Sequence, residues 1–157
     1  MSGLELLPRS PEWLLARIDA RTELRLRRAL RGLQRDVGLL FVGLWVTTTS
    51  GDVLIEFSGE SAVAPRRYPF VLTNSPTLES FGGPDGTDHE AVVYRPRIGR
   101  GMPRLGLLAA DVRGLDAPAL YDAVERLGDT VEEILVSVVG PSSPSQGSRR
   151  KARGSER

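Results

Sequence analysis

The chain of 157 residues has a formal net charge of +1, with 40% hydrophobic and 26% charged residues, which is typical of one soluble globular domain. It contains no cysteine, which excludes disulfides, thiolate nucleophiles and cysteine-ligated metal sites. The N-terminus does not resemble a signal peptide and the longest apolar stretch, VGLLFVGLWV, is too short to cross a bilayer, so we expect a cytoplasmic protein without a membrane partner.

The N-terminal region predicts one amphipathic helix that runs from Pro11 to about Asp36. Ser10 is a suitable N-cap, and a proline at the first helical position favours a helix start. Apolar residues then recur at helical spacing and form a single stripe that a core would bury. A row of arginines projects from the opposite side and gives the helix a basic face: Arg17, Arg21, Arg25, Arg28 and Arg35.

The middle of the chain predicts a β-sheet. Its candidate strands share β-branched or aromatic residues between turn residues, and they cover residues 39–48, 53–58, 68–73, 91–95 and 104–113. The first two should form a β-hairpin around the turn sequence TTSGD. The stretch from Asn74 to Asp88 is crowded with proline, glycine, serine and aspartate, so it predicts a loop.

The C-terminal region predicts a helix whose continuity is open. Asp116 is a suitable N-cap, and apolar residues then step by four and three from Leu120 to Val138, as on a buried helix face. Gly128 can end a first helix, in which case the β-branched stretch 129–139 would form a strand. The apolar spacing favours a helix throughout, with a break at Gly128 as its variant.

These elements predict a single α+β domain over residues 1–140. It would contain an N-terminal amphipathic helix, a central, mainly antiparallel sheet of about five strands, and a C-terminal helix packed on one sheet face. Residues 141–157 are rich in proline, serine, glycine and arginine, which predicts a disordered basic tail.

The only histidine, His89, lies in the sequence PDGTDHE. A metal site needs three or four ligands that converge from separate elements, whereas the acids here are local, so we predict neither a metal site nor a cofactor. Asp85 and Gly86 form a common turn dipeptide. We therefore interpret the stretch as a solvated turn that leads into the strand at 91–95.

Catalysis by this histidine is the third-ranked hypothesis for function. A lone histidine can act as the general base of a hydrolase when a carboxylate orients its ring. Asp88 and Glu90 are adjacent in sequence, and Asp111 or Glu56 could supply the carboxylate from another element. No spacing in the sequence requires any of these pairings.

Charge is distributed unevenly between the two predicted helices. The N-terminal helix has the arginine face named above, and the C-terminal helix has an outward acidic face that comprises Asp122, Glu125, Asp129, Glu132 and Glu133. Both faces point away from the core, so they can complement each other between molecules, where opposite potentials steer association. Without a clear catalytic constellation, this layout predicts a non-catalytic protein-interaction or self-assembling module, such as an adaptor, a chaperone-like protein or a phage or bacterial assembly protein. The expected partner is another protein or a second copy of the chain.

An alternative function is nucleic-acid binding by an arginine-rich surface. Arginine contacts phosphate oxygens in a bidentate manner, and neutralisation of the phosphate charge drives such binding. The candidate residues lie in two central segments: Arg66, Arg67, Arg95, Arg97, Arg100 and Arg104. The near-zero net charge and the acidic C-terminal helix rank this alternative second.

Overall fold

An antiparallel sheet with helices on one of its faces makes up the fold in the computed structural model, which describes residues 10–65, 75–84, 86–96 and 104–139. The described α-helices are α1 (Pro11–Arg17), α2 (Ala20–Val37) and α3 (Ala117–Val139), and a short 3-10 helix covers Ser61–Val63. The strands are β1 (Phe41–Thr48), β2 (Gly51–Gly59), β3 (Thr77–Gly82), β4 (Asp88–Tyr94) and β5 (Leu105–Ala110). Their order in the sheet is β2-β1-β5-β4-β3, and all four strand pairs are antiparallel. The predicted α+β class is therefore confirmed.

The N-terminal helical region contains two helices rather than the single predicted one. Ser10 caps α1 by accepting a hydrogen bond from the Trp13 amide at 3.1 Å, and the helix ends at Ile18, which is extended (φ −82°, ψ 104°). Asp19 then caps α2 by accepting from the Thr22 amide at 2.9 Å. Aspartate is a strong N-cap residue, and this local hydrogen bond outweighs the continuity of the apolar spacing.

β5 occupies the middle of the sheet and joins two hairpins. On one side it pairs with β1, with Phe41 opposite Ala110. On the other side it pairs with β4, with Ala91 opposite the same Ala110. Every residue of β5 is buried, as expected for a central strand that is covered on both faces. β2 and β3 form the two edges of the described sheet.

The sheet separates two hydrophobic layers. On its first face, α2 and α3 pack on the strands and bury a core that includes Leu26, Leu30, Leu107 and Val131. On its second face lies a smaller, more aromatic cluster that contains Phe41, Trp45, Val63, Phe81, Ala91, Val93, Leu108 and Ala110. Side chains alternate between faces along a strand, so each layer takes every second residue of β5.

A β-bulge in β2 turns Glu56 towards the helices. The register between β1 and β2 shifts at Leu44 and Trp45, which leaves Ile55 as an extra residue. The bulge interrupts the alternation of faces, so that Glu56 lies under α2 on the first face. There its carboxylate accepts two hydrogen bonds from Arg27, at 3.0 Å from Nε and 3.1 Å from Nη2.

Within the described residues, strand positions agree with the predictions except at residues 74–88. The hairpin of β1 and β2 is confirmed, and β4 and β5 correspond to the strands predicted at 91–95 and 104–113. The loop prediction is wrong for Thr77–Gly82, which forms the edge strand β3. Only Phe81 of β3 is buried, so this strand lacks the hydrophobic alternation by which a strand is recognised in sequence.

α3 is one continuous helix, so the predicted helix is confirmed through residues 129–139 and the break at Gly128 does not occur. Gly128 is buried where α3 approaches Tyr94 and Pro96 closely, and the missing side chain permits this approach. None of the described helices has the length and apolar character that crossing a membrane requires. The strand predicted at 68–73 and the tail predicted at 141–157 lie outside the described residues.

Candidate functional site

His89 is buried in β4, which corrects the interpretation of PDGTDHE as a solvated turn. Its side chain is 8% exposed, and the residue pairs with Phe81 of the neighbouring strand β3. The two rings pack with their centroids 5.4 Å apart and a tilt of 31°. β4 begins at Asp88, three residues before the strand predicted from sequence, and this extension brings the histidine into the sheet.

Asp111, which directly follows β5, orients the imidazole of His89. Its Oδ2 lies 2.8 Å from Nδ1 of the ring, while its Oδ1 accepts from the Glu90 amide at 3.2 Å. The antiparallel register of β4 and β5 creates this proximity, because it places the start of β4 beside the end of β5. Of the carboxylates considered for this histidine, Asp111 is therefore the one that contacts the ring.

The second ring nitrogen of His89 contacts a hydroxyl group. Nε2 lies 2.9 Å from Oγ1 of Thr87. An ionised carboxylate can only accept, so Asp111 places the proton of the neutral ring on Nδ1 and leaves Nε2 to accept from the threonine hydroxyl. We call this set the Thr87–His89–Asp111 relay. In this order of contacts, a carboxylate orients an imidazole that can act as general base for a hydroxyl nucleophile.

The remaining acids near the relay have other environments. Nε of Arg113 lies 3.9 Å from Oε1 of Glu90, Asp88 is exposed, and Glu56 pairs with Arg27 on the other sheet face. In the part of the chain that the structure describes, no three His, Asp or Glu side chains gather as they would around a metal ion.

A second candidate site is the exposed surface of α2 and α3, which we call the helix-pair surface. The two helices pack against each other in antiparallel directions. At one end, Arg25 near the start of α2 donates from Nη1 to Oγ of Ser137 near the end of α3, at 3.1 Å. Towards the other end, the helices flank a groove of about 360 Å³, lined by residues that include Ala29, Gly32, Asp36, Ala123, Arg126 and Thr130.

Opposite charges are separated between the two halves of the helix-pair surface. α2 carries six arginines and two acids, which is a net charge of +4. α3 carries five acids and one arginine, which is a net charge of −4. Among ion pairs of the described residues, none joins α2 to α3, and the one formed by α2 is Arg27 with Glu56. The residues predicted for this surface from both helices are Arg21, Arg25, Arg28, Arg35, Asp122, Glu125, Asp129, Glu132 and Glu133.

The remaining arginine predicted for the basic face, Arg17, is set apart from the helix-pair surface. It is the last residue of α1, and its guanidinium lies 4.4 Å from the ring centroid of Trp13. Because α1 and α2 are separate helices, the predicted continuous arginine face is interrupted after Arg17. The other arginines of that face remain together on α2.

The arginines predicted for nucleic-acid binding do not form one surface within the described residues. Arg95 is 9% exposed, and its Nη1 donates to the Leu105 carbonyl at 3.2 Å. Arg104, just before β5, is exposed. The other four candidates lie outside the described residues: Arg66, Arg67, Arg97 and Arg100.

The fold is that of GAF domains. A GAF domain from Pseudomonas syringae pv. tomato, assigned to a sensor histidine kinase, is similar with a TM-score of 0.56 and 14% identity over 81% of this chain and 86% of that chain. Free methionine-R-sulfoxide reductase from Neisseria meningitidis, in complex with its substrate, is similar with a TM-score of 0.53 and 16% identity over 82% of this chain and 87% of that chain. The GAF domain of an Acinetobacter phosphoenolpyruvate-protein phosphotransferase is similar with a TM-score of 0.52 and 10% identity over 85% of this chain and 95% of that chain.

At these identities the likeness shows the fold alone. No protein-family model matches the sequence, and no curated protein matches it.

Thr87 is the site residue that the sequence interpretation missed. Residues at positions i and i+2 of an extended segment lie on the same side, so the spacing of Thr87 and His89 carries a usable signal once the strand is extended to this point. Asp111 was one of several candidates, and no local signal distinguishes it, because 22 positions separate it from His89.

Proposed function

We propose that the chain is a protein-interaction module that self-associates through the helix-pair surface. The observation that carries this proposal is the separation of positive charge on α2 from negative charge on α3, side by side on one exposed surface. GAF domains are small-molecule or protein-interaction sensing modules, so an interaction role also accords with the fold.

Charge separation favours a partner whose charges are arranged in the complementary order. Within one protomer the like charges of each helix repel one another. A second surface with acids opposite α2 and arginines opposite α3 relieves both repulsions and steers the encounter. Each exposed pair contributes only about 0–1 kcal/mol, so several pairs must form together.

A second copy of the chain supplies that order in one twofold arrangement. A twofold axis that lies between the surfaces and runs parallel to the helices places α2 of one protomer over α3 of the other, and it does so twice. An in-plane axis perpendicular to the helices would place α2 over α2 and bring like charges together. Twofold interfaces use the same surface on both subunits, so this one surface suffices.

Exposed apolar side chains support the same arrangement. Leu24 on α2 and Val136 on α3 are 42% and 48% exposed. Both lie at the end of the helix pair where Arg25 contacts Ser137. The axis parallel to the helices preserves position along them, so Leu24 of each protomer would meet Val136 of its partner. The interface would then have apolar contacts among its ion pairs.

Light scattering at low and high salt tests the proposal. We expect an oligomer at low salt that dissociates as salt screens the charge pairs. Charge reversal by Arg28→Glu should weaken association, and adding Glu133→Arg in the same chain should restore part of it. Arg104→Glu makes the same charge change away from the surface and should have no effect.

A monomer at high protein concentration and low salt would overturn the proposal. Association that Arg28→Glu and Arg104→Glu weaken equally would assign the effect to net charge instead. A parallel titration with duplex and single-stranded DNA and RNA tests the alternative. Salt-sensitive binding that survives deletion of residues 142–157 would place nucleic-acid binding first.

A further inference from the structure

We propose that Thr87 is an acyl-accepting nucleophile, with His89 as its general base, towards activated acyl donors such as phenyl esters and thioesters. The relay lies at the start of β4 next to Phe81 of the second sheet face, away from the helix-pair surface. The two sites are therefore independent, and failure of either proposal leaves the other intact.

The relay holds its base in one orientation. One carboxylate oxygen of Asp111 is held by the Glu90 amide and the other contacts the ring of His89. Phe81 packs against the same ring. A ring held by a hydrogen bond and by packing needs little reorganisation before it accepts a proton.

Accessibility favours Thr87 over the other two members of the relay as the reacting group. Thr87 is exposed, while His89 is buried and Asp111 is partly buried. A donor can therefore approach the hydroxyl from solvent while the base stays shielded behind it. The turn before Thr87 is held by two hydrogen bonds, from the Gly83 amide to the Thr87 carbonyl at 2.9 Å and from the Gly86 amide to the Gly83 carbonyl at 3.0 Å.

The transfer step balances without a further reactant. Oγ1 of Thr87 attacks the carbonyl carbon of the donor, and its proton passes to Nε2 of His89. The tetrahedral intermediate collapses with cleavage of the bond to the phenolate or thiolate, which takes the proton from the imidazolium. The product is an acyl ester of Thr87. Water activated by the same nitrogen can then hydrolyse this ester and regenerate the hydroxyl.

The expected rate is modest because the turn uses its own amides. The Gly83 and Gly86 amides both donate within the turn, so neither is available to an oxyanion. One oxyanion donor is worth roughly 10²–10³ in rate. We therefore expect transfer only from donors with good leaving groups, and an acceleration of at least roughly 10²-fold from the general base.

Acetylation by p-nitrophenyl acetate tests this proposal on the full chain. Lys151 is the only lysine, so Lys151→Arg removes the principal side-chain amine that would compete. Mass spectrometry of the intact chain and its peptides should locate one acetyl group on Thr87. Thr87→Val should abolish this acetylation, and Thr87→Ser, which keeps the hydroxyl, should retain it.

Variants of the base separate activation from simple exposure. Asp111→Asn should slow acetylation about as much as His89→Gln, because an amide no longer selects the tautomer of His89 in which Nε2 is unprotonated. Thr130 on α3 is a matched exposed threonine, whose hydroxyl donates to the Arg126 carbonyl at 3.2 Å, and it should stay unmodified.

Acetylation of Thr130 at the same rate as Thr87 would overturn the proposal. So would an acetyl group located on another side chain, or a rate at Thr87 that Asp111→Asn leaves unchanged while circular dichroism shows a folded chain. Absence of both the acetyl group and accelerated release of p-nitrophenolate would also overturn it.

Discussion

Gly128 of α3 lies against the ring of Tyr94 on β4, so closely that a Cβ atom at this position would come within 2.7 Å of Cε2 of the ring. The contact seats the middle of α3 on the sheet. It also explains why the helix passes through a glycine without a break, since the space that a side chain would occupy is filled by the tyrosine.

Replacement of Gly128 by alanine should destabilise the protein, although alanine is the better helix former. Alanine gains up to about 1 kcal/mol of helix propensity, whereas overpacking of a filled contact costs about 1–3 kcal/mol. Urea denaturation followed by circular dichroism measures the difference. Addition of Tyr94→Leu should recover part of the loss, because it removes the clashing ring edge.

Gly32 on α2 provides the matched control. A Cβ there meets nothing within 4 Å. Gly32→Ala should therefore stabilise the protein by up to about 1 kcal/mol through helix propensity. Equal effects of the two substitutions would contradict the importance of the Tyr94 contact.

Removal of Arg27 should destabilise the fold more than removal of the whole pair. Hydrogen bonding to Glu56, and then its charge, raises the pKa of Arg27 above its usual value. Arg27→Met would leave the carboxylate of Glu56, which is 7% exposed, without this partner. The double variant Arg27→Met with Glu56→Leu should be more stable than Arg27→Met alone, as measured by thermal unfolding. A double variant less stable than Arg27→Met would mean that an unpaired Glu56 carboxylate does not destabilise the fold.

The N-cap of α2 should make stability depend on pH in acid. Hydrogen bonds from Thr22, the backbone amide first, lower the pKa of Asp19 below its usual value of 3.8. Stability from a depressed carboxyl pKa is present above the unfolded-state value and is lost as pH falls through the folded-state value. The melting temperature of the wild-type chain relative to Asp19→Asn should therefore decrease in acid, since asparagine caps without titrating. A constant difference from neutral pH to below 3.8 would contradict this assignment.

Cysteine cross-linking tests the proposed twofold arrangement, and the cysteine-free chain makes it clean. Separate variants Leu24→Cys and Val136→Cys, mixed and mildly oxidised, should form a disulfide-linked heterodimer faster than either variant alone. A fast Leu24→Cys homodimer would instead place α2 against α2 and rule out the parallel axis.

Local signals in the sequence were sufficient for the class of fold. The caps, the turn sequence TTSGD and the helical spacing from Leu120 to Val138 act within a few residues, so they can be read along the chain. β3 was missed because an edge strand with one buried residue has no periodic pattern. The division at Asp19 has no signal in the apolar spacing, because that spacing continues from α1 into α2.

The relay and the Arg27–Glu56 pair depend on long-range geometry. Asp111 reaches His89 only through the register of β4 and β5, and Glu56 reaches Arg27 only through a bulge. Neither register nor bulge has a signal in a single sequence of this kind. The charge separation of α2 and α3 could be predicted because it depends on composition, whereas their side-by-side placement required the structure.

The position of β5 between two hairpins has a kinetic consequence. β1 with β2, and β3 with β4, are neighbours in sequence and can pair on the timescale of local hairpin formation, about 1–10 μs. β5 follows β4 in sequence and can pair with it locally, whereas its pairing of Ala110 with Phe41 closes a far longer loop. Contacts of long sequence separation slow folding. The rate of folding should therefore be limited by the pairing of β5 with β1. Substitutions in β5 should slow folding more than equally destabilising substitutions in either hairpin turn.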